Sequence, residues 1–87
     1  MATLYKTTGE KVTISPKDGR RFSLEELQLY VGGYVELIRI GRDNYLVVDE
    51  EGTLKGLPLN PGATKIVRQL GYTHIVGDAV YCKEVEL

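Results

Sequence analysis

Apolar and polar residues alternate over residues 2–6 and 11–15, where Thr, Leu, Tyr, Val and Ile recur at every second position, the pattern of half-buried strands. Thr8-Gly9-Glu10 between them reads as a hairpin turn, and Ser15-Pro16-Lys17-Asp18-Gly19 breaks regular structure. The period then changes. Leu24, Leu27, Tyr30 and Val31 recur at helical spacing. Ser23 precedes this stripe and stands three residues before Glu26, the spacing of a capping box in which each side chain satisfies the other's backbone N–H. Phe22 is placed to staple onto Leu27, and Gly32-Gly33 supplies the left-handed stop.

Tyr34 to Ile40 and Tyr45 to Asp49 are β-type runs, joined by the four-residue loop Gly41-Arg42-Asp43-Asn44. Glu51-Gly52 turns the chain, and Thr53-Leu54 adds a short strand. Leu57-Pro58-Leu59 is excluded from a central strand, because proline offers no ladder donor. Asn60 as N-cap and Pro61 at the first helical position open a second helix. Its stripe is Ala63, Ile66, Val67 and Leu70, and Gly71 closes it. Tyr72 to Val76 is short and apolar, Gly77-Asp78 turns, and Ala79 to Val85 is a final strand. The expected fold class is α+β, a small mixed or antiparallel sheet of about five to six strands with two short helices. A small, partly closed barrel with the helices as plugs is the alternative.

Size turns this pattern into a statement about assembly. The 87 residues make a single domain, 1–87, since two cores of half that length would each need metals or disulfides. One core of this size is marginal, which favours a homo-oligomer that hides further apolar surface. Net charge is -1, so no global field draws the chain to nucleic acid or membrane, and neither is expected as a partner. The N-terminus lacks the apolar run of a signal peptide, and no segment approaches the roughly 20 apolar residues of a membrane span. Cys82 is the one cysteine, so an intrachain disulfide and a cysteine zinc site are excluded, and a cytoplasmic location is expected.

Catalytic chemistry finds little to work with. His74 is the single histidine, without a nearby nucleophile and orienting group, and reads as structural. Cys82 in mid-strand reads as a small hydrophobe, and Asp49-Glu50-Glu51 as a solvated turn without EF-hand spacing. Gly32-Gly33 follows a helix, the wrong polarity for a phosphate loop. At the start of the second helix Lys65 stands near, but Pro61 removes one donor and Asn60 consumes another by capping. Anion handles remain in Arg20, Arg21, Arg39 and Arg42, whose planar forks match phosphates. The tyrosines Tyr5, Tyr30, Tyr34, Tyr45, Tyr72 and Tyr81 are divided between core packing and stacking on a ligand. No cofactor is implied.

Four blocks have a distinctive order: Val31-Gly32-Gly33-Tyr34-Val35-Glu36, Leu46 to Gly52, Leu54-Lys55-Gly56-Leu57-Pro58-Leu59-Asn60 with Ala63, and Ile75 to Val80. Across residues 24 to 81 the chain resembles the family called domain of unknown function 3846, met in bacteriophages and bacteria. The segment before the first helix carries no matching motif, and Pro61-Gly62 departs from the more polar residues expected there. The resemblance implies a phage-type accessory protein without catalytic residues, acting in the host cytoplasm if phage-encoded. The expected function is to bind and sequester a nucleotide-like immune signal without turnover. In that reading Arg20, Arg21, Arg39 and Arg42 supply charge, Tyr34 and Tyr45 stacking, and Glu36 and Asn60 polar recognition. The alternative is an inhibitor that presses a surface, such as the acidic turn Asp49–Gly52, onto a host protein.

Overall fold

The structure, a computed structural model, describes residues 1–72 and 74–87. Strands β1 (Ala2–Tyr5) and β2 (Lys11–Ile14) form a hairpin across the turn capped by Gly9. Helix α1 (Leu24–Val31) leads into β3 (Val35–Ile40) and β4 (Asn44–Asp49); helix α2 (Pro61–Val67) precedes β5 (Ala79–Lys83). The strand order is β2-β1-β5-β4-β3, with every pairing antiparallel. This is an α+β fold with an open sheet: β2 and β3 remain as edges, so the barrel alternative fails.

Alternation along the central strands places one helix on each face. Val47 and Val80 look toward α1 and share a core with Leu4, Phe22, Leu27, Val31 and Cys82. Their neighbours Leu46, Val48 and Ala79 look the other way, into a core with Ile38, Ile75 and the α2 residues Ala63 and Val67. Leu46, Val47 and Val80 are wholly excluded from water, and burial of each such side chain contributes about 1.5–3 kcal/mol.

Local signals hold where the chain itself supplies the partner. The Ser23 hydroxyl accepts the Glu26 N–H, and the Glu26 carboxylate accepts the Ser23 N–H, completing the capping box. Phe22 and Leu27 lie in the same core. Gly32 caps α1 at φ 85°, a left-handed conformation open to glycine at little cost. Asn60 caps α2 with Pro61 at its first position, and a 3-10 turn (Arg68–Leu70) carries the chain to Gly71.

Several expectations need correction. Ile40 pairs with Asn44, so the β3–β4 loop has three residues, Gly41 to Asp43, and Asn44 belongs to the strand. Thr53-Leu54 forms no strand; it lies in a run of turns over residues 50–56 with Leu54 86% exposed. Leu24 and Leu70 are exposed rather than core: Leu24 is the first residue of α1, and Leu70 falls in the 3-10 turn that follows the end of α2 at Val67. The final strand stops at Lys83, where a 3-10 turn (Glu84–Glu86) begins and leaves Val85 in water. Within Tyr72 to Val76 the described residues show one isolated bridge, Val76 to Leu59, and no strand; Thr73 lies outside the described residues. Asp49 is not solvated. Its carboxylate is buried, pairs with the Lys55 ammonium at 2.8 Å and accepts the Glu51 N–H.

Candidate functional site

The register sorts the expected site residues onto opposite ends of the sheet. Ile14, Ile40, Asn44 and Lys83 mark one end; Tyr5, Lys11, Val35, Asp49 and Ala79 mark the other. Arg39, Arg42 and Tyr45 gather at the first end. The Arg39 guanidinium donates to the Tyr45 hydroxyl at 2.7 Å, to Glu84 at 3.2 Å and to the Arg42 carbonyl at 3.1 Å. It also sits 5.3 Å from the Tyr45 ring centroid. Arg39 is therefore already neutralised by a carboxylate within the molecule. Arg20 and Arg21 lie exposed in the loop that leaves β2 at this end, and their backbone N–H groups converge on one Asp18 oxygen. Those two N–H donors hold the Asp18 carboxyl below its ordinary value.

Tyr34, Glu36 and Asn60 belong to the second end. From Tyr34 to Arg39 the chain climbs about 17 Å along β3, so the structure does not unite these phenol and guanidinium groups within one protomer. Glu36 lines a narrow cleft of about 160 Å³ with Glu50, Thr53, Tyr72 and His74. That volume falls below the roughly 300 Å³ at which ligand pockets begin, and its carboxylates repel an anion. Among the described residues no cluster of histidine, cysteine and carboxylate side chains could hold a metal ion.

A second cleft, of about 330 Å³, opens between the β1–β2 hairpin, through Tyr5, Gly9 and Lys11, and α2, through Pro61, Gly62, Lys65 and Ile66. Each wall has a local cause. Tyr5 ends β1 and Lys11 begins β2, directly opposed in the register, so the Lys11 ammonium lies 5.6 Å from the Tyr5 ring centroid. Gly62 allows α2 to settle on that ring, since a Cβ at this position would lie 2.7 Å from Tyr5 Cδ1. Lys65 follows three residues later on the same helix flank. Two ammonium groups thus border a tyrosine ring and an isoleucine, and among the described residues no carboxylate lines the space.

Asn60 fastens the two walls. Its amide donates to the Tyr5 carbonyl at 2.8 Å and to the Gly77 carbonyl at 2.9 Å, while its oxygen accepts the Ala63 N–H at 3.1 Å. The Thr64 hydroxyl donates to the Asn60 carbonyl and accepts the Ile75 N–H, extending this buried network. Asn60 is fully buried, so its place is beneath the cleft rather than in it. Sequence reasoning noted Lys65 beside the helix but missed its union with Tyr5 and Lys11. The Tyr5–Lys11 half was readable from the hairpin; the approach of α2 depends on long-range packing.

The chain belongs to the family described as domain of unknown function (DUF3846), which it matches over residues 1–86. The match takes in both walls of the Lys11–Lys65 cleft, including β1 and β2 ahead of the blocks that carry the likeness in sequence. No curated protein and no solved structure matches the chain. Among the described residues, no helix is long and apolar enough to cross a membrane.

Proposed function

We propose that this DUF3846 member binds a small nucleotide-like anion in the cleft between the β1–β2 hairpin and α2, and holds it without turnover. One observation carries the reading: Lys11 and Lys65 border the Tyr5 ring in a space of about 330 Å³ that, among the described residues, no carboxylate lines. Ammonium groups neutralise phosphate, while Tyr5 and Ile66 offer an apolar floor to a sugar or base. The cleft holds no nucleophile–base pair, which favours retention over reaction. In its specific form the proposal is a phage-encoded anti-defence protein that keeps a nucleotide second messenger of the host from its receptor.

Titration calorimetry with cyclic dinucleotides, cyclic ADP-ribose isomers and ADP tests the proposal. Binding heat is expected with at least one, with a loss of roughly 10-fold or more in affinity for Lys11→Ala and for Lys65→Ala, given about 1.5–3 kcal/mol for a hydrogen bond to a charged group. Arg39→Ala is expected to change nothing, and intact ligand is expected back after denaturation. Silence with all three probes at millimolar concentration would refute the reading. A loss confined to Arg39→Ala would move the site to the hairpin end.

One observation favours a second reading, inhibition of a host protein by contact. The turns over residues 50–56 present Leu54, 86% exposed, beside the exposed Glu50 and Glu51. An apolar tip beside acids suits a basic-rimmed pocket, and Leu54→Ser would abolish stoichiometric capture of such a partner.

A further inference from the structure

The hydrogen-bond pattern of β3 defines what its free edge offers. The Glu50 N–H donates to the Tyr34 carbonyl at 2.8 Å, and the register next places Val35 opposite Asp49. Tyr34 opposite Glu50 is therefore a hydrogen-bonded pair. By antiparallel alternation, so are Glu36 with Val48, Ile38 with Leu46 and Ile40 with Asn44. Val35, Leu37 and Arg39 consequently direct their N–H and C=O groups away from β4. β3 is the last strand in the order, and among the described residues it pairs with β4 alone.

We infer that β3 is a self-pairing edge, joining two copies antiparallel about a twofold axis at Leu37 into one continuous ten-stranded sheet. Three features coincide on this register. Val35 meets Arg39 of the second copy, Leu37 meets its twin, and Arg39 meets Val35, so every outward donor and acceptor of the strand finds a partner. Sliding by two residues carries an outer pair past the strand end. The side chains of the same three residues share the α1 face, so Leu37, 49% exposed in one copy, is covered by Leu37 of the other.

Charge does not oppose the pairing. Across the seam Glu36 faces Ile38 and Arg39 faces Val35, so no like charges stand directly opposite. The Arg39 guanidinium is drawn to Tyr45 and Glu84 of its own chain. The contrast with the other edge is instructive: β2 spans four residues and exposes Lys11 and Thr13, the usual protection of an edge by shortness and lysine. β3 runs six residues without proline or bulge. The Lys11–Lys65 cleft lies on the β1–β2 side of the sheet, so the pairing leaves both clefts of a dimer open.

Sedimentation velocity on the full chain, from micromolar to near-millimolar concentration, tests the inference together with variants at Leu37. Leu37→Pro removes an outward N–H and no β3–β4 bond; Leu37→Lys places two ammonium groups across the axis and guards against misfolding of the proline variant. Leu37→Cys should be linked into a dimer by a short bifunctional thiol reagent, because a hydrogen-bonded pair sets the two Cα atoms only about 5.5 Å apart. Leu54→Cys, at an exposed turn, should not. The expected result is a concentration-dependent doubling of mass for the parent, a monomer with unchanged circular dichroism for the folded Leu37 variants, and cross-linking by Leu37→Cys alone. A parent that stays monomeric throughout, or a dimer that survives Leu37→Lys, would overturn it.

Discussion

Replacing Asn60 separates the two jobs that its side chain performs. Asn60→Ala removes an N-cap, at about 1 kcal/mol, and deprives the buried Tyr5 and Gly77 carbonyls of their amide donor, at about 1–3 kcal/mol each. The loss is about 3–7 kcal/mol. A chain of this length has a total stability of about 4–13 kcal/mol, so the variant stands near the limit of folding. Asn60→Asp is the sharper test. Aspartate caps a helix as well as asparagine, so the bond from the Ala63 N–H survives. However, an ionised carboxylate cannot donate, and it confronts two carbonyl oxygens in a site closed to water. At pH 7 Asn60→Asp should therefore be at least as destabilised as Asn60→Ala, despite keeping its cap. The introduced carboxyl has a folded pKa above its unfolded value of about 3.9. Its neutral form is thus the one the fold tolerates, and stability should recover as pH falls toward 4. Urea unfolding followed by far-UV circular dichroism at pH 7 and pH 4 measures both effects. If Asn60→Asp matches the parent within about 0.5 kcal/mol at pH 7, the amide donors contribute nothing and the reasoning fails.

Three further outcomes are expected. The Ser23 and Lys17 N–H groups hold the Glu26 carboxyl below its ordinary value; for Asp49, burial pushes upward but the Lys55 ammonium and Glu51 N–H prevail and lower it. Both contributions are present above the unfolded pKa, about 4, and are lost as pH falls through the folded values, so Glu26→Gln should flatten the acid limb of the urea midpoint; an unchanged limb would contradict this. Gly62→Ala would gain about 1 kcal/mol from helix propensity alone, yet its methyl meets Tyr5 Cδ1 at 2.7 Å, and overpacking of about 1–3 kcal/mol should lower the melting temperature instead. Burial, aided by Glu86, pushes the Cys82 thiol up to about 11, so iodoacetamide at pH 8 should label the protein in urea and not when folded, as read by mass spectrometry.

What could be read from the sequence is what the chain decides within a few residues. Ser23 and Glu26 recognise each other across one helical turn, as do Asn60 and the Ala63 N–H, so both helix starts were legible. Gly32 and Gly71 end helical segments through their own backbone freedom. Partner choice was not legible: nothing near Ala79 announces that β5 inserts between β1 and β4. The same limit separated Lys11 from Lys65 and hid the buried pairing of Asp49 with Lys55. Periodicity also overstates burial at helix ends. Leu24 and Leu70 satisfy their stripes, yet Leu24 only opens α1 and Leu70 falls in the 3-10 turn beyond α2, and both stay in water.

Because Val47 faces one helix while Leu46 and Val48 face the other, the sheet acts as a septum between two dry compartments that share no side chain. Neither compartment could persist alone, since each uses the same ladder as its wall. A void opened beneath α1 cannot be filled from the α2 side without breaking that ladder, so strain remains in the chamber where it arises. The two surfaces of this protein can therefore diverge independently, one helix and its lining at a time, while the partition between them must be kept.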